Sequence, residues 1–131
     1  MRALLDTNVF LWFVSGSRKL GPKTKRLLEQ SRTQLWLSPI TIWECLILER
    51  DHRIRLEPNP LRWAREVLAV HPFQEAPLNH EVAIQARSIQ LPHEDPADRF
   101  IASTASVYGL TLVTGDERLL EGTGYSVISN E

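Results

Sequence analysis

The chain reads as an α/β protein, with a roughly five-stranded, mostly parallel sheet flanked by helices. Three observations predict this class. Short apolar runs at residues 2–5, 34–37, 73–78, 110–114 and 125–129 have the length of strands. Between them lie longer segments whose apolar residues recur at three- and four-residue spacing, several opening on a helix-start signal. Strands that alternate with helices in this way imply right-handed crossovers and a sheet covered on both sides.

Residues 2–5 form a buried strand that ends at Asp6, because the turn-like Asp-Thr-Asn follows. Phe10, Leu11, Phe13 and Val14 mark a short helix, and residues 16–21 a loop between glycines. Pro22, suited to a first helical position, opens a helix with its basic residues outward and Leu27 and Leu28 inward. After the second strand, Ser38 and Pro39 start a helix whose stripe is read as Ile40, Trp43 and Ile47, with Glu44 on its flank. Asn59 and Pro60 start the next, with Leu61, Ala64 and Leu68 inward and Pro72 as its stop. A short strand over 73–78 leads to Asn79, which caps a helix carrying Val82, Ala86 and Ile89 on one face. Asp95 and Pro96 open a helix that stops at Gly109, a strand follows over 110–114, and Asp116 turns the chain into a short helix before the last strand.

Composition bounds the function. At 131 residues, 43% hydrophobic and 24% charged, the chain suits a single soluble domain over residues 1–131. Its net charge of −1 lacks the basic excess of a passive nucleic-acid-binding module, although bound divalent ions would reverse the local field. The lone Cys45 lies in an apolar helical pattern and is read as a small hydrophobe, which fits a reducing cytoplasm. Asp6 and Asn8 interrupt the N-terminal apolar run, so no signal peptide is expected, and no segment reaches the roughly 20 apolar residues that span a bilayer. Phosphate-binding and dinucleotide-binding glycine loops are absent, as is zinc-type spacing among His52, His71, His80 and His93. His93 is accordingly left outside the site.

Four carboxylates stand at element ends: Asp6, Glu44, Asp98 and Asp116. Oxygen ligands suit Mg2+ or Mn2+, and clustered carboxylates stay ionised only when cations offset their repulsion. In an open parallel sheet, ligands bind outside the carboxyl ends of the strands where strand order reverses, and Asp6 and Asp116 directly follow strands. Helix capping alone accounts for Asp95 and Asp116. It does not account for Asp6, at the end of an apolar run, or for Glu44. Thr7, Asn8, Thr114 and Asp95 are candidates to orient the carboxylates from behind.

The order LLDTN, an acid in the helix after the second strand, DPADRFIASTA and LVTGDERL resembles the PIN-domain nucleases, in particular the VapC-type toxins of toxin–antitoxin pairs. The resemblance covers almost the whole chain. It implies a PIN-like three-layer sandwich and a Mg2+- or Mn2+-dependent endoribonuclease that leaves a 5′-phosphate. It further implies metal ligation by Asp6, Glu44, Asp98 and Asp116, a homodimer, an RNA substrate and a cognate antitoxin protein. Glu44 matches the looser part of the pattern, and Glu49 lies five residues away, off that face.

Other residues receive plainer readings. Arg99, Lys19, Lys23, Lys25 and Arg26 are read as solvated charges before phosphate contacts, and Trp12 and Trp43 as core or subunit contacts before base-stacking platforms. Trp12, Phe13 and Trp63 are candidates for partner contacts or for burial within the subunit. Two rival functions stand beside the nuclease: an inactive PIN-like scaffold binding RNA or protein, and a phosphatase with Asp6 as nucleophile. The phosphatase wants a second Asp at position 8, where this chain has Asn8.

Overall fold

The computed structural model describes residues 1–131. Its elements are β1 (Arg2–Leu5), α1 (Thr7–Ser15), α2 (Pro22–Glu29), β2 (Gln34–Leu37), α3 (Pro39–Arg50) and α4 (Pro60–Val70), then β3 (Phe73–Glu75), α5 (His80–Gln85), α6 (Pro96–Tyr108), β4 (Thr111–Thr114), α7 (Glu117–Glu121) and β5 (Ser126–Ser129). The five strands form one sheet in the order β3-β2-β1-β4-β5, every neighbouring pair parallel. Strand order therefore reverses between β1 and β4. Asp6 follows one of these strands and Asp116 the other.

Both faces of the sheet are buried, which explains why its strands read as nearly continuous apolar runs. Side-chain alternation divides each strand between two cores. Ala3, Leu5, Leu35, Leu37 and Val113 pack with Val9, Phe10, Leu28 and Cys45 on one side. Leu4 and Leu112 pack with Ile101, Ala102, Ala105 and Leu119 on the other. Cys45 is fully buried, as its apolar setting led us to expect. Burial pushes its thiol up to about 12, so it stays protonated at neutral pH.

Local chemistry sets the boundaries. Pro22, Pro39, Pro60 and Pro96 each open a helix, and Ser38, Asn59 and Asn79 cap theirs through side-chain acceptors. Gly16 and Gly109 close α1 and α6 with φ of 68° and 63°, a left-handed turn that a side chain would strain. β3 stops at Glu75, short of the expected residue 78. Ala76 still donates to the Leu37 carbonyl at 2.9 Å, but Pro77 has no N–H with which to continue the ladder.

Two helix faces differ from expectation. On α3 the buried residues are Thr41 and Cys45, whereas Trp43 is 55% exposed and Ile40 and Ile47 are only half-buried. On α4 Ala64 is buried, with Trp63 and Val67 packed against the core, while Leu61 and Leu68 face solvent. α3 carries apolar residues around most of its circumference, whereas α4 has one broad apolar face with Leu61 and Leu68 at one edge and Trp63 and Val67 at the other, so spacing left the inward line open and packing chose it. Trp12, Phe13 and Trp63 pack against the first core.

Candidate active site

A cleft of about 360 Å³ lies at the reversal of strand order. Asp6, Glu44, Asp95, Asp98 and Asp116 line it together with Thr7, Asn8, Trp43, Arg53 and Arg118. All four predicted carboxylates thus share one cleft, although more than 100 residues separate the first from the last. Glu49 does not line it.

The backbone places each acid. Asp6 ends β1 and caps α1, its Oδ1 accepting the Val9 N–H at 2.8 Å, while its Oδ2 accepts the buried Thr114 hydroxyl. Asp116 ends the turn after β4 and caps α7 through the Arg118 N–H at 2.9 Å. Asp95 caps α6 through the Ala97 N–H at 3.0 Å, and Asp98 sits in the first turn of that helix. Glu44 lies midway along α3 and accepts the Thr7 hydroxyl at 2.5 Å. Thr7 and Thr114 therefore bond to the carboxylates they were expected to orient, and Asn8 lines the cleft.

The electrostatics reflect burial first and crowding of like charge second. Asp6 is 6% exposed, and burial, reinforced by Asp98 and Asp116, raises its pKa to about 6 despite the hydrogen bonds from Thr114 and Val9. Asp98 is also pushed up to about 6, by burial first and then by Asp95, Asp116 and Glu44. Glu44 is raised by burial, with Asp95 and Asp6 adding repulsion. Only Asp116 is lowered, chiefly by the side-chain hydrogen bonds of Arg118.

Each carboxylate is engaged by a protein donor or a nearby cationic side chain, and no three His, Cys, Asp or Glu side chains converge on a single ion position. Arg118 holds Asp116 at 3.0 Å and comes within 3.9 Å of Asp98. Hydrogen bonding does not exhaust these oxygens, because each carries a second lone pair. An all-oxygen set with net negative charge, three of its four acids raised in pKa, suits a hard dication such as Mg2+ or Mn2+. By the chemistry of its donors the cleft fits such an ion.

Three cleft neighbours were not predicted. His93, left outside the site, has its Nε2 3.2 Å from Asp98 Oδ2. Its position two residues before Asp95 was the available signal. Arg53 and Arg118 reach the cleft from separate loops and helices, and no spacing in the sequence announces them. Arg99 is a correction. It is neither solvated nor in the cleft, because its Nη1 donates to the Ala86 and Ile89 carbonyls at 2.9 and 2.8 Å.

A fully parallel sheet with an acidic cleft at its strand reversal places the chain among the open α/β proteins that bind their ligands outside the carboxyl ends of the strands. Within that class the chain belongs to the PIN-domain family, whose profile matches residues 3–123. It is 33% identical over 119 residues to Ribonuclease VapC22 of Mycobacterium tuberculosis, the match covering 88% of each chain. Its fold is similar to that of VapBC2 from Rickettsia felis bound to a promoter DNA fragment, at a TM-score of 0.74 and 14% identity with full coverage of both chains. A toxin–antitoxin complex from Klebsiella pneumoniae gives a TM-score of 0.66 at 24% identity, covering 98% of each chain. No helix is long and apolar enough to cross a membrane.

Proposed function

We propose that the chain is a single-domain, metal-dependent endoribonuclease, acting in the cytoplasm as the toxin of a toxin–antitoxin pair. The observation that carries this reading is the meeting of Asp6, Glu44, Asp98 and Asp116 in one cleft at the strand reversal of a PIN-domain chain. The ribonuclease relative supports the activity, and the toxin–antitoxin complexes among its structural neighbours support an antitoxin partner. A homodimer is part of the same proposal.

Asp6, Glu44, Asp98 and Asp116 would hold Mg2+ or Mn2+, which supplies the Lewis-acid charge that makes water nucleophilic at neutral pH. The rest of the work falls to the chain. Thr114 and Thr7 fix the carboxylates of Asp6 and Glu44, limiting the rotamers an ion must select. Arg53 and Arg118 supply positive charge at the rim for the RNA phosphates. Trp43, exposed beside Glu44, offers a face on which an unpaired base can stack. Burial and prior hydrogen bonding of Asp6 fit a ligand better than an attacking nucleophile, which speaks against the phosphatase reading.

Incubating the protein with end-labelled single-stranded RNA, in Mn2+ or in chelator, tests the proposal. Cleavage to 5′-phosphate products should require metal and disappear in Asp98→Asn. Equal cleavage in chelator, or an undiminished Asp98→Asn variant, overturns it.

A further inference from the structure

Resting on the nuclease reading, we infer that His93 is a positioning residue, whose Nε2–H orients the Asp98 carboxylate for ion binding. The ring is held on both sides. Its Nδ1 accepts the Asp95 N–H at 3.0 Å, and its side chain is only 15% exposed. In the neutral ring one nitrogen accepts and the other donates, so the Asp95 bond places the proton on Nε2. That atom is shut off from solvent and makes no hydrogen bond of regular geometry, while Asp98 Oδ2 lies 3.2 Å away. A buried donor without a well-aligned acceptor is costly, so the geometry favours rotation of Asp98 Oδ2 onto the N–H axis.

The local backbone makes this a rigid arrangement. Asp95 both donates its N–H to His93 and caps α6 through Ala97, and Asp98 follows in the first turn of that helix. Ring, cap and carboxylate are therefore parts of one unit. Arg118 approaches the same Oδ2 at 3.9 Å, so two nitrogen groups face that oxygen and leave Oδ1 to the cleft.

Two substitutions separate the ring's two contacts. Asn at position 93 keeps an acceptor near the place of Nδ1 and removes the donor. Gln carries an amide N–H toward the place of Nε2. Mn2+ titration calorimetry should show binding weakened by about tenfold in His93→Asn and kept within about threefold of wild type in His93→Gln, the range usual for groups that orient metal ligands. In the metal-free wild-type protein, 15N spectra of the imidazole should show the Nε2–H tautomer. Unchanged Mn2+ affinity in His93→Asn, equal weakening in both variants, or the Nδ1–H tautomer overturns the inference. A wild-type protein that binds no Mn2+ instead overturns the nuclease reading beneath it.

Discussion

Replacing Asp6 with Asn should make the metal-free protein more stable at the same time as it abolishes cleavage. Burial is the main reason that the pKa of Asp6 rises from 3.8 to about 6. The folded state therefore holds a proton through a window in which the unfolded chain has already released it. Stability falls as pH rises through that window, and above it the buried charge costs about 3 kcal/mol. Asn removes the charge and keeps the cap to Val9, since Asn serves as well as Asp at that position. The Thr114 hydroxyl can rotate to accept from the new amide. Allowing about 1 kcal/mol for weaker neutral hydrogen bonds, the variant should exceed wild type by about 2 kcal/mol at pH 8.

Urea unfolding in chelator at pH 4 and pH 8 measures this. A gain of that size moves the midpoint by about 1 M at pH 8, and the gain should vanish at pH 4. Saturating Mn2+ should reverse the ranking, because an ion at about a hundred times its dissociation constant stabilises wild type by about 2.7 kcal/mol and has no site in the variant. A variant no more stable than wild type at pH 8, or an advantage independent of pH, would refute the reasoning.

Arg99→Ala strands the carbonyls of Ala86 and Ile89, so thermal unfolding should reveal a loss of about 1–3 kcal/mol. Gly21→Ala would set a methyl carbon 1.8 Å from the Glu131 carbonyl carbon and lift the tail from the N–H groups of Lys23 and Thr24. Its cost, read by urea unfolding, is about 1–3 kcal/mol, and an unchanged midpoint would refute the packing argument. Trp43→Ala should raise KM for single-stranded RNA by about tenfold with little change in kcat, as expected for loss of one stacked base, and an unaltered KM would exclude the stacking role.

What could be read in advance divides along a physical line. Element order was legible because prolines, Ser38, Asn59, Asn79 and the glycines after α1 and α6 act on their immediate neighbours. The placing of Asp6 and Asp116 was legible through them, since a residue that ends a parallel strand lies at the sheet's carboxyl edge whatever the rest of the chain does. The faces of α3 and α4 were legible only in part: Ala64 points inward as expected, but the choice of Cys45 over Trp43, and of Trp63 and Val67 over Leu61 and Leu68, was made by the neighbours that pack there. Arg99 was misread for the same reason. A charged residue beside an acid resembles a surface residue until the turn after α5 brings two carbonyls to it.

Three of the cleft acids, Asp6, Asp95 and Asp116, also start helices, and this joins the fold to the site. One carboxylate oxygen of each accepts a backbone N–H, so the bond that begins the helix also fixes the side chain at the cleft. The same geometry brings the positive ends of α1, α6 and α7 to the acidic edge, where their dipoles offset part of the repulsion. Alanine at any of these positions would therefore remove a cap worth about 1 kcal/mol together with the charge, mixing a folding defect with a chemical one. Amide substitutions keep the cap and remove only the charge. For Asp6, which bears the larger burial cost, loss of activity should accompany a gain in stability; for Asp116, lowered by Arg118, it should not.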